Sequence, residues 1–125
     1  MNVILNVDPY PKARARLARS GIAFTPKKSK DNETLIKYEL RAKGKRLLYD
    51  VPISVEVDFY ITKPKSAPKK RVYPSVRPDL DNYIKQICDA GNGYVWKDDG
   101  CICSIISRKL YTVGKGYIHL IVNKM

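Results

Sequence analysis

Residues 77–99, RPDLDNYIKQICDAGNGYVWKDD, contain the most informative pattern in this chain. From Leu80 onward, apolar residues recur at the i, i+3, i+4 spacing of an amphipathic helix. The GNG run at 91–93 is typical of a helix end. We therefore expect a helix over about 79–90, with acidic residues at its start and again where the chain returns. The four aspartates concerned are Asp79, which is placed to act as N-cap, Asp81, Asp98 and Asp99.

The clearest element outside this stretch is a strand over residues 53–62, where apolar and polar side chains alternate. The alternation predicts a sheet with one covered face and one face exposed to water. Glu56 and Asp58 fall on the exposed face. We interpret them as solvated side chains, and metal ligation is the alternative.

A second helix is predicted over residues 31–43, with Asp31 as its N-cap and Gly44 at its end. Its apolar stripe consists of Leu35, Tyr38 and Ala42, with Ile36 and Leu40 beside it.

Three apolar runs, residues 1–7, 101–111 and 117–123, predict further strands. The GKG sequence at 114–116 predicts a hairpin turn between the last two. The predicted order is β-α-β-α-β-β. This order indicates an α/β (α+β) fold, a single domain over residues 1–125 in which helices pack against a mixed sheet.

The charge of the chain indicates a polyanionic partner. Among its 125 residues, 24 are lysine or arginine and 12 are aspartate or glutamate, which gives a net charge of +12. This surplus favours nucleic acid as the partner. A membrane surface is less favoured, because no basic amphipathic helix stands out in the sequence. No apolar run reaches the ~18 residues of a membrane span, and the N-terminus lacks the features of a signal peptide. We therefore expect a cytoplasmic protein.

The three cysteines, Cys88, Cys101 and Cys103, do not predict a disulfide framework, because their number is odd. Zinc binding is the alternative for the last two. The remaining cysteine and His119 do not lie at zinc-finger spacing. We interpret all three as buried free thiols in a reducing compartment.

Two segments that contain several prolines, residues 9–30 and 63–78, are rich in basic residues. Because proline interrupts regular structure, we expect irregular arms that contact DNA phosphates. Solvated linkers are the alternative. The candidate DNA-binding residues are Lys12, Arg14, Arg16, Lys27, Lys28, Lys69, Lys70, Arg71 and Arg77.

The acidic residues at 77–99 predict a metal site. Asp81 and Lys85 are four positions apart and therefore share one face of the helix. If the returning chain brings Asp98 or Asp99 alongside, the carboxylates repel one another unless a cation lies between them. Oxygen ligands suit Mg²⁺ or Mn²⁺, which polarise a phosphoryl oxygen and activate water. The alternative is a set of capping acids with an Asp81–Lys85 surface pair.

The same stretch contains a specific set of positions, namely Arg77-Pro78-Asp79-Leu80-Asp81-Asn82, Lys85, Asp89-Ala90 and Trp96-Lys97-Asp98-Asp99. This set resembles the signature of the RusA family of Holliday junction resolvases, which are small, often prophage-borne endonucleases. The basic residues at 12–16 and 27–28, together with Lys109, also resemble basic positions of that family. The resemblance covers nearly the whole chain.

The resemblance implies a homodimeric, Mg²⁺-dependent enzyme that cuts four-way DNA junctions by paired, symmetric nicks in a bacterial or phage-infected cell. The catalytic acids of the family correspond to Asp79, Asp81 and Asp99, and its essential lysine corresponds to Lys85. These acids are the expected metal ligands, with Asp98 as a further candidate. Lys109 joins the expected DNA-binding residues.

Two other functions fit parts of the sequence. A non-catalytic nucleic-acid-binding domain fits the charge, but acids near the site would weaken phosphate binding. A restriction-type nuclease requires a strand with Asp/Glu-x-Lys after an aspartate, and no predicted strand contains this pattern.

Overall fold

The computed structural model of the protein describes residues 1–13 and 16–125. It is a single domain with a mixed α+β fold, and the predicted order of the main elements is confirmed. A two-stranded hairpin, β2–β3, lies in the segment that was expected to be irregular. The elements are β1 (Asn2–Leu5), β2 (Arg16–Leu17), β3 (Ala23–Phe24), α1 (Lys27–Lys43), β4 (Ile53–Thr62), α2 (Leu80–Gly91), a 3₁₀ turn (Asp99–Cys101), β5 (Ile102–Thr112) and β6 (Tyr117–Lys124).

The main sheet has the strand order β1-β6-β4-β5. Its central strand β4 alternates as predicted: Val55, Val57 and Phe59 are each 1% exposed, whereas Glu56 is exposed. The buried side packs against the two helices, where the rings of Phe59 and Tyr83 stack with centroids 5.3 Å apart. The other side carries the polar residues of β4 and has no helix over it in the described part of the chain.

The predicted hairpin between the last two strands is wrong. β4 lies between β5 and β6, parallel to β5 and antiparallel to β6. The GKG sequence does form a tight connection, and Gly114 has a φ of +92°. The connection passes the end of β4, where the Thr62 hydroxyl donates to the carbonyl of Gly114 at 2.7 Å.

The predicted start and stripe of α1 are also wrong. The helix begins at Lys27, directly after Pro26, so Asp31 lies inside it. Proline is compatible with this place because the first helical N–H groups have no partner within the helix. Ile36 and Leu40 are buried, whereas the predicted stripe is largely exposed. That stripe consists of Leu35, Tyr38 and Ala42.

The helix α2 follows the prediction closely. Asp79 occupies the N-cap position, and the helix ends at Gly91. The indole of Trp96 is fully buried against this end, and its Nε1–H donates to the Asn92 side chain at 2.9 Å. A Cβ atom at Gly91 would lie 2.3 Å from Cζ2 of Trp96. The close approach of the indole therefore requires glycine here.

All three cysteines are free thiols. The prediction of burial holds for Cys88, whereas Cys101 is partly exposed and Cys103 is exposed. Over the range that the structure describes, neither helix has the length and apolar character needed to cross a membrane.

Candidate active site

Lys85 lies at the centre of the candidate site. Its Nζ is 3.1 Å from Oδ1 of Asp89 and 3.8 Å from Oδ2 of Asp99. The pKa of Lys85 is raised, first by its hydrogen bond to Asp89 and the charge of that carboxylate, and further by the charge of Asp99. The contact with Asp99 places the 3₁₀ turn beside α2. The chain therefore returns one of the later acids to α2, beside Lys85.

The ion pair between Asp81 and Lys85, which was the alternative to a metal site, is not formed, and Lys85 pairs with other acids. Among the described residues, the carboxylates within ion-pair distance of Lys85 are those of Asp89 and Asp99. Spacing alone could not decide this, because Asp81 and Asp89 are both four positions from Lys85. The carboxylate of Asp89 also pairs with Lys12.

The two acids at the start of α2 are exposed. Asp79 is the N-cap residue, but its side chain makes no capping hydrogen bond. Asp81 lies in the first turn. Among the described residues, the Asp79 carboxylate therefore caps no helix N–H group, so a capping role does not explain this aspartate. The carboxylate is accessible to an external cation.

The later acids differ from each other. Oδ2 of Asp98 accepts a hydrogen bond from the N–H of Gly100 at 3.0 Å, so this side chain caps the 3₁₀ turn. Asp99 instead points its carboxylate toward Lys85. The geometry separates a capping acid from an acid that faces the candidate site.

Carboxylate oxygens are the ligands that Mg²⁺ and Mn²⁺ prefer, so the chemistry of these aspartates suits such an ion. Within residues 1–13 and 16–125, no three acidic, histidine or cysteine side chains are positioned together as a ligand set. The assignment of Asp79, Asp81, Asp99 and Asp98 as metal ligands stays a prediction.

A second lysine, Lys12, connects the N-terminal segment to both helices. Its Nζ lies 3.3 Å from Oδ2 of Asp89 and 3.2 Å from Oε1 of Glu33. Its backbone N–H donates to the carbonyl of Asn82 at 2.9 Å. Asp89 thus binds Lys12 and Lys85 at once, a role that the sequence did not reveal because Lys12 is distant along the chain.

A buried polar network lies beside this lysine. Gln86 is 1% exposed, and its Nε2–H donates to the carbonyl of Ser29 at 2.8 Å and to Oδ1 of Asn32 at 3.1 Å. The Ser29 hydroxyl accepts from the N–H of Ala13 at 3.3 Å. This network joins α1, α2 and the N-terminal segment, and sequence patterns gave no signal for it.

Cys88 lies in the same region of α2. Burial raises its pKa to about 11, and the charges of Asp99 and Asp89 add to this effect. The thiol is therefore protonated at neutral pH and is not a nucleophile there.

The remaining predicted DNA-binding residues belong to different elements and loops. Arg16 is exposed on β2, and Lys27 and Lys28 are exposed at the start of α1. Arg14 lies outside the described residues. The predicted DNA-binding residues of the second segment are also exposed, namely Lys69, Lys70, Arg71 and Arg77.

We call residues 63–78, which connect β4 to α2, the strap. The strap is joined to β5 by hydrogen bonds. The N–H of Tyr111 donates to the carbonyl of Val72 at 2.9 Å. Nζ of Lys109 donates to the carbonyls of Val76 at 2.9 Å and Pro78 at 3.0 Å. The ammonium of this predicted DNA-binding lysine is thus bonded within the protein.

The family model for endodeoxyribonuclease RusA matches residues 6–120, nearly the whole chain. The chain belongs to the RusA family. It is also 34% identical over 71 residues to a protein of Bacillus subtilis (strain 168) that bears the name "Uncharacterized protein YqaN". That match covers 49% of this chain and 50% of the relative, so the similarity spans about half the length of the relative.

The RusA family match includes both helices and the strap, which connects β4 to the start of α2. The sequence resemblance to this family is therefore confirmed. It covers the segment of Lys12 as well as the aspartates at 79–99.

Proposed function

We propose that this RusA-family chain is a structure-selective endodeoxyribonuclease that resolves Holliday junctions by paired, symmetric nicks. The observation that best supports the proposal is the contact between Lys85 and Asp99. It joins Asp99 to the helix that has Asp79 at its N-cap and Asp81 in its first turn. A cationic side chain among carboxylates suits phosphodiester hydrolysis, in which negative charge develops on the phosphoryl oxygens.

Lys85 is suited to act on a bound phosphate. Its side chain is 56% exposed, so it is accessible to DNA. Its raised pKa keeps it fully charged at neutral pH. Asp89 orients the ammonium from within α2, and Asp99 approaches it from the 3₁₀ turn. We expect Lys85 to stabilise negative charge on the scissile phosphate.

A divalent cation, Mg²⁺ or alternatively Mn²⁺, would be bound by Asp79, Asp81 and Asp99, with Asp98 contributing mainly through the turn that it caps. When bound, such an ion activates a water molecule and polarises the phosphoryl group. Because the carboxylates at the helix start are exposed, an ion can reach them together with the DNA.

The basic surfaces are expected to bind the DNA backbone. The +12 charge and the exposed lysines and arginines of the strap and of the start of α1 favour phosphate contacts. These residues are distributed over separate elements and not along one recognition helix. Selectivity is therefore expected to depend on junction shape more than on base sequence.

We further propose that the active form is a homodimer and that it acts in the bacterial cytoplasm. A four-way junction presents two equivalent strands, and a two-fold dimer presents two equivalent sites. The helix-free face of the sheet fits this role, because Ile4 is 49% exposed and Ile106 is 61% exposed there. The charges on this face are few: Glu56, and Asp58 paired with Arg108. This face is therefore less suited to DNA than to a second copy.

The direct test is cleavage of a synthetic four-way junction in Mg²⁺ and in EDTA. We expect symmetric nicks only with the metal. Asp81→Asn should bind the junction with near-normal affinity and lose at least about 100-fold in cleavage rate, because a ligand charge is removed from the reaction.

Asp31→Asn is the matched control, because it makes the same chemical change at an exposed aspartate of α1. This variant should cut normally. Normal cutting by Asp81→Asn would contradict the site. Junction binding by the unaltered protein without cutting in Mg²⁺ would instead favour a non-catalytic nucleic-acid-binding domain.

A further inference from the structure

The last residues of the strap are bonded to the sheet through one side chain. Lys109 lies on β5, opposite Phe59 of β4 in register, and therefore on the side of the sheet that the helices cover. Its ammonium donates to two backbone carbonyls at the end of the strap, those of Val76 and Pro78. An ammonium has three donors, so two of them are used within the protein.

The position of the second acceptor matters for the candidate site. Pro78 directly precedes Asp79, the N-cap residue of α2, and the N–H of Asn82 donates to the carbonyl of Asp79 at 3.2 Å. A continuous set of bonds therefore runs from β5 through Lys109 to the first turn of α2. That turn carries the acids expected to act on the phosphate.

Near the end of the strap Pro74 is buried, but the other apolar side chains are largely exposed. Val72, Tyr73 and Val76 are 55%, 56% and 54% exposed. Charge-assisted hydrogen bonds to the carbonyls are thus a substantial part of what fixes this segment.

We infer that Lys109 is a positioning residue, which fixes the start of α2, and with it Asp79 and Asp81, relative to β5. This inference rests on the proposed nuclease function and replaces the expectation that Lys109 contacts DNA. A displacement of about 1 Å at a catalytic group can cost about 100-fold in rate, so the effect on cleavage is expected to be large although Lys109 touches no reacting atom.

The test compares Lys109→Met with Lys109→Arg, Lys70→Met and Lys45→Met. Methionine keeps an unbranched chain but removes the charge and the donors. Arginine keeps both. Lys70 is an exposed residue of the strap, and Lys45 is an exposed residue between α1 and β4. Each methionine variant removes one positive charge.

Three quantities are measured: the single-turnover cleavage rate at saturating protein, the dependence of junction affinity on salt, and hydrogen exchange of peptides covering residues 72–82 without DNA or metal. We expect Lys109→Met to lower the rate about 10- to 100-fold. Its salt dependence should match that of the unaltered protein, and exchange over the strap end should be faster. Lys109→Arg should restore much of the rate and the slow exchange.

The control variants show the results expected of a lysine that contacts DNA and of a lysine that has no role. Lys70→Met should make the log–log salt slope shallower by about 0.9, the value for one lost phosphate contact, without faster exchange over the strap end. Lys45→Met should change none of the three quantities. If Lys109→Met cuts at the normal rate and shows the shallower slope, Lys109 is a DNA contact and the inference is wrong.

Unchanged hydrogen exchange in Lys109→Met would also overturn the inference. Because exchange is measured without DNA, it tests the positioning role even if the unaltered protein cuts no junction. If Lys109→Met does not fold, the same exchange measurement on Lys109→Arg decides: exchange faster than in the unaltered protein refutes the role of these donors, and normal exchange supports it.

Discussion

Asp98 and Asp99 are neighbours in sequence but have different functions in the structure. Asp98 accepts a backbone hydrogen bond from Gly100 and stabilises the turn, whereas Asp99 faces the ammonium of Lys85. Adjacent carboxylates are equivalent in a sequence pattern. Only the backbone of the turn decides which of them faces the helix.

This difference predicts different effects of the same substitution. Asp99→Asn should lower the cleavage rate at least about 100-fold, because it removes a charge beside Lys85. Asp98→Asn should stay within a few-fold of normal, because asparagine also caps turns through its side-chain oxygen. Single-turnover assays on a four-way junction measure both. Equal losses in the two variants would show that Asp98 also acts in the reaction.

At the residue scale, the acids that the sequence assigns to the candidate site stay a prediction, and the sequence did not reveal the partners of Lys85. Lys85 could bind either of two acids four positions away, and it pairs with Asp89, which also pairs with Lys12 from the N-terminal segment. Such contacts between distant parts of the chain are invisible to local patterns. The roles of Gln86 and Ser29 could not be predicted for the same reason.

At the element scale, the end of α2 is determined by one close contact. Gly91 is the last helical residue, and the buried indole of Trp96 lies against its Cα. Helix propensity alone predicts that alanine here would stabilise the protein by about 1 kcal/mol. Steric overlap with the indole predicts the opposite sign.

We expect Gly91→Ala to lower the free energy of unfolding by about 1–3 kcal/mol, the usual cost of overpacking a core. Denaturant unfolding followed by circular dichroism measures the change. The control is the same substitution in a Trp96→Phe background, where the smaller ring removes most of the overlap. A stabilised Gly91→Ala variant would mean that the helix end can move away from Trp96.

Turn signals located the connections between elements but not the strand pairing. The glycines at 114 and 116 do form a turn, yet β4 separates β5 from β6. A hairpin requires neighbouring strands, but β4, whose apolar side chains are buried, pairs with β5 on one side and with β6 on the other. The turn sequence alone could not predict this pairing.

In α1, two overlapping apolar stripes were available, and the one that is buried is that of Ile36 and Leu40.

At the scale of the whole molecule, the sheet divides the protein into two sides. The helices, Lys85 and the strap's contact with Lys109 lie on one side. The other side is the helix-free face, where two rows of side chains cross all four strands in register. These rows are Asn2, Ile121, Glu56 and Ile106, and Ile4, His119, Asp58 and Arg108. A dimer formed through this face would leave both candidate sites accessible to the arms of a junction.

A substitution on this face tests the dimer. Ile106→Asp places a charge in the proposed interface of both copies, beside Glu56 in register. Loss of apolar burial and the added repulsion should weaken dimerisation about 100-fold or more. Analytical ultracentrifugation over a range of concentrations measures this. Val113→Asp is the control, because Val113 is 96% exposed in the turn between β5 and β6.

The Ile106→Asp monomer should still nick a junction, but the two nicks should lose their coordination, because each cut is then made by an independent molecule. An Ile106→Asp protein that dimerises normally would place the interface elsewhere and leave the helix-free face without this role.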